Sequence, residues 1–316
     1  MKTKVALIGA GAVGSYLIWG MTENSDIEFT LVAEGERAER LKKQGVCVNH
    51  KVRFPKVLSS NEAGVQDLVL IATKYQGLSD AISYLDSLTD SHTIVMSLLN
   101  GVDSEEKIVS SDACHGTVLY SLMRIAANRG EEGTVFDPEC TGGIFFGPDG
   151  PQQNPEDPAS IRHFDECAKR VAACLAFTKL RYTSEENIYE DIWNKFAANI
   201  ANNLPQAVLF TDASLYTDSE HGFFIAARLW EEVRTVAFRT KGIVLSEVPR
   251  IFYEVPKTSH YSTLQDLEAK RETEIDMFAG QILKLAAAAG ILVPYTEFVF
   301  HAVKALEEKN RGIIGN

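Results

Sequence analysis

The chain has 316 residues, 45% of them hydrophobic, enough for one large domain or two ordinary ones around a sizeable core. Its formal net charge of -12 argues against nucleic acid or an anionic membrane as a general partner, because phosphate surfaces are met by basic patches. Five scattered cysteines with no CxxC pair, and seven histidines without metal-ligand spacing, indicate neither a disulfide framework nor a metal site.

No apolar run reaches the roughly 18 residues of a membrane span. Lys4 to Ile8 goes directly into a buried strand, leaving no room for a signal peptide, so a cytoplasmic protein is expected. Gly9, Ala10, Gly11, Ala12, Val13 and Gly14 then spell GxGxxG ahead of a helical run, SYLIWGM. In a dinucleotide site Gly9 permits the tight turn, Gly11 lets the backbone approach a pyrophosphate, and Gly14 lets helix and strand pack closely. The free N–H groups and dipole of the helix start face the phosphates.

A second strand is expected over Ile27 to Val32, and Glu34 falls 20 residues after Gly14. A carboxylate there accepts hydrogen bonds from the adenosine ribose and repels a 2′-phosphate, which favours NADH. The alternatives are an exposed loop acid, or a phosphate role for the nearby Arg37. Helical runs (Glu36 to Lys43, Leu78 to Leu88, Ser104 to Val109) alternate with strand-like runs (Asp67 to Ala72, Thr93 to Ser97). That alternation predicts an α/β fold, a doubly wound parallel sheet of the Rossmann type. Lys74 and Asn100 each follow an apolar run and so project from the C-terminal edge of the sheet, where ligands bind in such folds. Singly, each also reads as an ordinary loop residue.

From His115 to Gly147 the pattern turns strand-rich, and the four prolines between Gly147 and Pro158 predict a surface loop. A helix over Ile161 to Ala176 and a strand over Lys179 to Thr183 are expected to complete the same sheet. Beyond Ser184 the chain reads as almost continuous helix. The predicted division is a dinucleotide-binding domain, 1–184, and an all-helical domain, 185–316.

Ile188, Ile192, Phe196, Ile200 and Leu204 form an apolar stripe on a helix expected to end at Leu204. Beside it run Lys195, Asn199 and Asn203, successive members about 40° apart around the axis and about 6 Å apart along it. One amine and two carboxamides suit a small oxygen-rich ligand; a solvated face is the other reading. Three asparagines (Asn199, Asn202, Asn203) are unusual in a helix interior. A second long helix is expected over Thr263 to Ala289, with Glu274 on its apolar face beside Leu267, Phe278, Ile282 and Leu285. An acid there needs a partner, Arg271, or a site to line. Ser262 and Gln265 have capping-box spacing, which makes Ser262 the expected N-cap, a role compatible with binding a carboxylate.

GAGAVG, TKYQ, LNGV, WNKFAAN and QDLEAKRETEID, in this order, resemble the ketopantoate reductase (2-dehydropantoate 2-reductase) family over nearly the whole chain. The resemblance implies a Rossmann domain followed by a helical domain with the active site in the cleft. It implies reduction of 2-dehydropantoate to pantoate with NADPH, on the route to pantothenate and coenzyme A. By motif, Lys195 corresponds to the general acid, Asn199 and Asn203 to residues holding substrate hydroxyls, and Ser262 to a substrate contact. Glu274 corresponds to a residue against both cofactor and substrate, Asn100 to a contact with both, and Lys74 to a cofactor contact. Three departures stand out. VAEG places Glu34 where the family often has an arginine for the 2′-phosphate, Leu99 stands where glutamine is frequent, and Ala213 stands where some members have a further asparagine. Two other readings are a reductase of another branched 2-oxo acid and a dinucleotide-sensing regulator without catalysis. A homodimer is compatible with a helical second domain.

Overall fold

The computed structural model describes residues 2–130, 132–249 and 255–315. The chain divides into two compact units, Met1–Tyr189 and Glu190–Asn316. The first unit runs β1 (Thr3–Ile8), α1 (Ala12–Met21), β2 (Ile27–Val32), α2 (Gly35–Gln44), β3 (Val46–Val48), β4 (Lys51–Arg53), β5 (Lys56–Leu58), α3 (Ser60–Ala63) and β6 (Leu68–Ile71). It continues with α4 (Leu78–Ser83), α5 (Leu85–Leu88), β7 (Ile94–Ser97), α6 (Ser104–Val109), β8 (Thr117–Val118), β9 (Ser121–Arg124), β10 (Ala127–Gly130), β11 (Gly133–Phe136), β12 (Gly143–Phe146), α7 (Pro158–Leu175) and β13 (Tyr182–Ser184).

Six strands form a parallel sheet in the order β5-β2-β1-β6-β7-β8. β6 and β7 are buried along their whole length, as strands covered on both faces must be. The strand order reverses about β1, which makes the space beyond β1 and β6 a topological switch point. A second sheet, β10-β11-β3-β4, lies against α1. Its Phe136 meets Tyr16 edge-on at 5.2 Å and Trp19 at 5.7 Å between ring centroids.

Two expectations for this unit are corrected. The last strand does not complete the main sheet: β13 pairs in parallel with β12, which pairs antiparallel with β9, in a separate three-stranded sheet. β9 leaves the line of β8, and its free edge recruits β12 instead. The helix expected over Leu78 to Leu88 is broken at Tyr84 into α4 and α5.

The second unit contains α8 (Ile188–Leu209, whose first two residues belong to the first unit), α9 (Leu215–Asp218), α10 (Glu220–Lys241), α11 (Ser262–Glu268), α12 (Gln281–Ala289) and α13 (Pro294–Asn310). Among the described residues it has no strand. The apolar stripe Ile188, Ile192, Phe196, Ile200 and Leu204 is fully buried. α8 continues past Leu204 and through Pro205. The proline removes one backbone bond, and the burial of Gln206 and Ala207 beyond it offsets that loss.

The helix expected over Thr263 to Ala289 is not continuous. α11 stops at Glu268, Lys270 takes a left-handed φ of 51°, and a π-helical turn spans Asp276–Gly280 before α12. The break is held from outside. Buried Glu307 of α13 accepts from both the Thr273 amide (2.9 Å) and the Thr273 hydroxyl (2.7 Å). Among the described residues, no helix is long and apolar enough to cross a membrane.

Candidate functional site

The glycine loop follows β1 directly. Gly9 has φ +111°, and a β-carbon on it would lie 2.5 Å from the Ala72 carbonyl oxygen at the end of β6. A β-carbon on Gly14 would lie 2.1 Å from the Gly9 carbonyl oxygen. Only glycine fits either place, whereas Gly11 faces open space apart from Arg129 and a more distant carbonyl. Ala10 is buried beneath the loop, and Ala12 and Val13 are half-buried at the start of α1. Gly11 caps α1 with no side-chain hydrogen bond, so the donors aimed outward are backbone N–H groups.

Beyond this loop lies a cavity of about 410 Å³, bordered by Gly9, Gly11, Glu34, Arg37, Lys74 and Arg129 among others. Its volume is in the range of cofactor sites. A glycine cradle with two positions closed to any β-carbon, at the strand switch point, with cations around it, fits a dinucleotide. Glu34 is fixed in place: its Oε1 accepts from the Ser60 amide (2.8 Å) and the Ser60 hydroxyl (2.9 Å), at the first residue of α3. It is therefore a held carboxylate at the cavity wall, and Ser60 is a partner the sequence did not reveal.

Lys74 and Asn100 occupy equivalent places on neighbouring strands. Ile71 pairs with Ser97, and each residue lies three positions beyond its strand end. Lys74 borders the cavity, whereas Asn100 sits one strand further along the edge. The two loops are tied together, since Tyr75 donates its hydroxyl to Asp103 (2.5 Å) and Lys107 pairs with the same carboxylate (2.9 Å). Beneath Asn100, the Ser97 hydroxyl donates to Ser104 and the Ser104 hydroxyl to Glu105, at 2.8 and 2.7 Å.

Glu105 is fully buried, and burial pushes its carboxyl up from 4.5 to about 7. Between those values the folded chain holds a proton that the unfolded chain has lost. Stability therefore falls as pH rises from about 4.5 to about 7, then levels off. The loss is of order 3 kcal/mol. Glu105→Gln keeps an acceptor for Ser104 and removes the titration. Its thermal midpoint is expected to match the wild type near pH 5 and exceed it by several degrees at pH 8. Melting curves across that range check this; an equal gap at both ends would refute it.

In the second unit, α8 carries Lys195 and Asn199 half-buried and Asn203 buried, at 4% exposure, which rules out a solvated face for Asn203. The Asn203 amide donates to the Ser262 hydroxyl at 3.3 Å, so these two predicted residues are brought together. Asn202 is buried off the row, and its carbonyl accepts the Tyr216 hydroxyl.

Ser262 is not an N-cap. Tyr261 caps α11 and Ser262 is the first helical residue, while the Gln265 side chain donates to the His260 carbonyl (2.6 Å). The segment is set by a residue the sequence reading missed, Gln206. It is fully buried, its Oε1 accepts from the Tyr261 amide (2.6 Å), and its Nε2 donates to the Ser259 carbonyl (3.0 Å). Its signal was a polar residue three positions after Asn203 in an apolar stretch. Glu274 does not lie on a continuous helix. It sits half-buried just before the π turn, and its carbonyl accepts from the amides of Met277 and Phe278. Arg271 pairs with Asp266 at 2.7 Å. Phe196, next to Lys195, stacks on Phe278, four residues past Glu274, with centroids 6.1 Å apart. A π turn beside a candidate acid is a recurrent feature of functional sites. Among the described residues, no cluster of His, Cys, Asp and Glu could hold a metal ion.

Residues 5–149 match the family profile described as ketopantoate reductase PanE/ApbA, and residues 187–307 match that family's C-terminal profile. The 2-dehydropantoate 2-reductase of Pyrococcus horikoshii is 27% identical, over 98% of this chain and 99% of its own length. The PanE/ApbA family ketopantoate reductase from Ralstonia eutropha JMP134 superposes with a TM-score of 0.78 at 23% identity, covering 98% of this chain and all of the other. D-mandelate dehydrogenase, solved with NADH and anilino(oxo)acetate, superposes equally well, with a TM-score of 0.78 at 23% identity over 98% of this chain and 99% of its own. Both halves of the sequence match in order, and the glycine cradle and the α8 polar row lie within the matched regions; the chain belongs to the ketopantoate reductase family of oxidoreductases.

Proposed function

We propose that the chain reduces 2-dehydropantoate to pantoate with a nicotinamide dinucleotide. The observation that carries this is the α8 row Lys195, Asn199 and Asn203, its last member bonded to Ser262, in a chain matched end to end by 2-dehydropantoate 2-reductases. A nicotinamide dinucleotide held at the glycine loop would supply the hydride. Negative charge develops on the ketone oxygen, and the Lys195 ammonium stabilises it and donates the proton. Asn199 and Asn203 orient the substrate, with Asn203 itself oriented through Ser262. Glu274 is the acid that positions Lys195. The glycine loop, Lys74 and Asn100 hold the dinucleotide, and Glu34 turns preference towards NADH.

A second reading, a reductase of another branched or aryl 2-oxo acid, is favoured by one observation: D-mandelate dehydrogenase superposes as well as the ketopantoate reductase. Turnover of 2-dehydropantoate and of a panel of 2-oxo acids, each with NADH and NADPH and followed by nicotinamide absorbance, separates the two. The expected result is the highest kcat/KM with 2-dehydropantoate. A higher value for an aryl or other branched acid would replace the substrate while leaving the reaction class in place.

A further inference from the structure

Arg129 was not singled out by any motif, yet the fold delivers it to the glycine loop. β10 and β11 form an antiparallel ribbon in which Arg129 pairs directly with Thr134. Paired residues in such a ladder project on the same face. Thr134 is locked to the first turns of α1, where the buried Ser15 hydroxyl donates to Thr134 Oγ1 at 3.0 Å. Arg129 shares the face of Thr134, and its side chain lies over the loop. Its Nη1 is 3.6 Å from the point a β-carbon on Gly11 would occupy, and it borders the same cavity as Lys74.

The loop itself brings no charge, since GAGAVG has no polar side chain and α1 has neither a side-chain cap nor an ionised group in its first turn. The whole chain is strongly acidic, at -12, so a diphosphate must find its cations locally. An arginine offers a fork of donors matched to phosphate oxygens, which the point charge of a lysine does not.

We propose that Arg129 is a diphosphate-binding residue of the dinucleotide cavity, acting over Gly11 at the start of α1. The assignment rests on the dinucleotide reading above. The β10–β11 ribbon is then part of the cofactor site rather than decoration on the sheet.

The test is the affinity of wild type, Arg129→Ala and Arg129→Lys for ADP, NADH and NADPH, with thermal midpoints to confirm folding. ADP carries the diphosphate without the nicotinamide half. Arg129→Ala is expected to weaken ADP and NADH by at least about tenfold, the equivalent of 1.4 kcal/mol. NADPH should weaken by the same factor, and Arg129→Lys should fall between the two. ADP binding unchanged in a folded Arg129→Ala would overturn the assignment. A loss confined to NADPH would also overturn it, placing Arg129 at the 2′-phosphate instead. A wild type that binds none of the three nucleotides would remove the dinucleotide reading and the assignment with it.

Discussion

Lys195→Ala is expected to lower kcat by about 10²- to 10⁴-fold, the usual contribution of a positioned general acid. Nucleotide affinity should remain close to that of the wild type. The reason for the split is structural. The cavity with the glycine cradle is built wholly from residues of the first unit, and Lys195 stands on α8 in the second. Its side chain is half-buried beside the core stripe rather than within it, so truncation removes a charge without opening a large cavity. The expected signature is therefore a fall in kcat and kcat/KM together, which marks an interaction made chiefly in the transition state. Steady-state kinetics with titration of NADH binding to the variant checks both halves. Near-normal turnover would remove Lys195 from the chemistry. Lost nucleotide binding would mean its effect runs through the fold.

Much of the frame behind that prediction was legible in the sequence, and for physical reasons. Strand and helix periods are local properties, so β1, α1, β2, β6, β7 and the α8 stripe could be read directly. The glycines were legible because φ +111° at Gly9 and the 2.1 Å approach at Gly14 admit no other residue. What stayed hidden were contacts fixed by distant partners. The segment from Ala269 to Glu274 has no proline or glycine to take it out of a helix. It does so because Glu307 takes the amide and hydroxyl of Thr273, and tertiary bonding outweighs propensity. The same holds for Ser262, whose place follows from Gln206 bonding Ser259 and Tyr261 across 53 and 55 residues of sequence. Arg129 reaches Gly11 through a ladder register and a Ser15–Thr134 bond, neither visible as a motif. The separate β9–β12–β13 sheet was missed because strand-like runs announce strands, not partners.

Glu34 offers the second large effect, because a held charge discriminates better than a mobile one. Its Oε1 is bound by the amide and hydroxyl of Ser60, so the carboxylate cannot swing away from a phosphate brought into the cavity. Two like charges about 4 Å apart near a protein surface repel by about 4 kcal/mol, less in salt. Glu34→Gln keeps the acceptor for Ser60 and deletes the charge. The ratio of kcat/KM for NADPH to that for NADH should rise by at least about tenfold, with little change in melting temperature. Glu34→Arg should move the ratio further by adding attraction to a 2′-phosphate. An arginine cannot accept from Ser60, however, so the start of α3 loses its partner, at a cost near 1 kcal/mol. A cofactor ratio that follows charge from Glu to Gln to Arg, while stability drops only at Arg, would assign Glu34 two separable roles. Should both cofactors weaken equally in Glu34→Gln, the residue would serve α3 alone, and the cofactor preference would have to come from elsewhere on the cavity wall, with Arg37 the nearest cation in sequence.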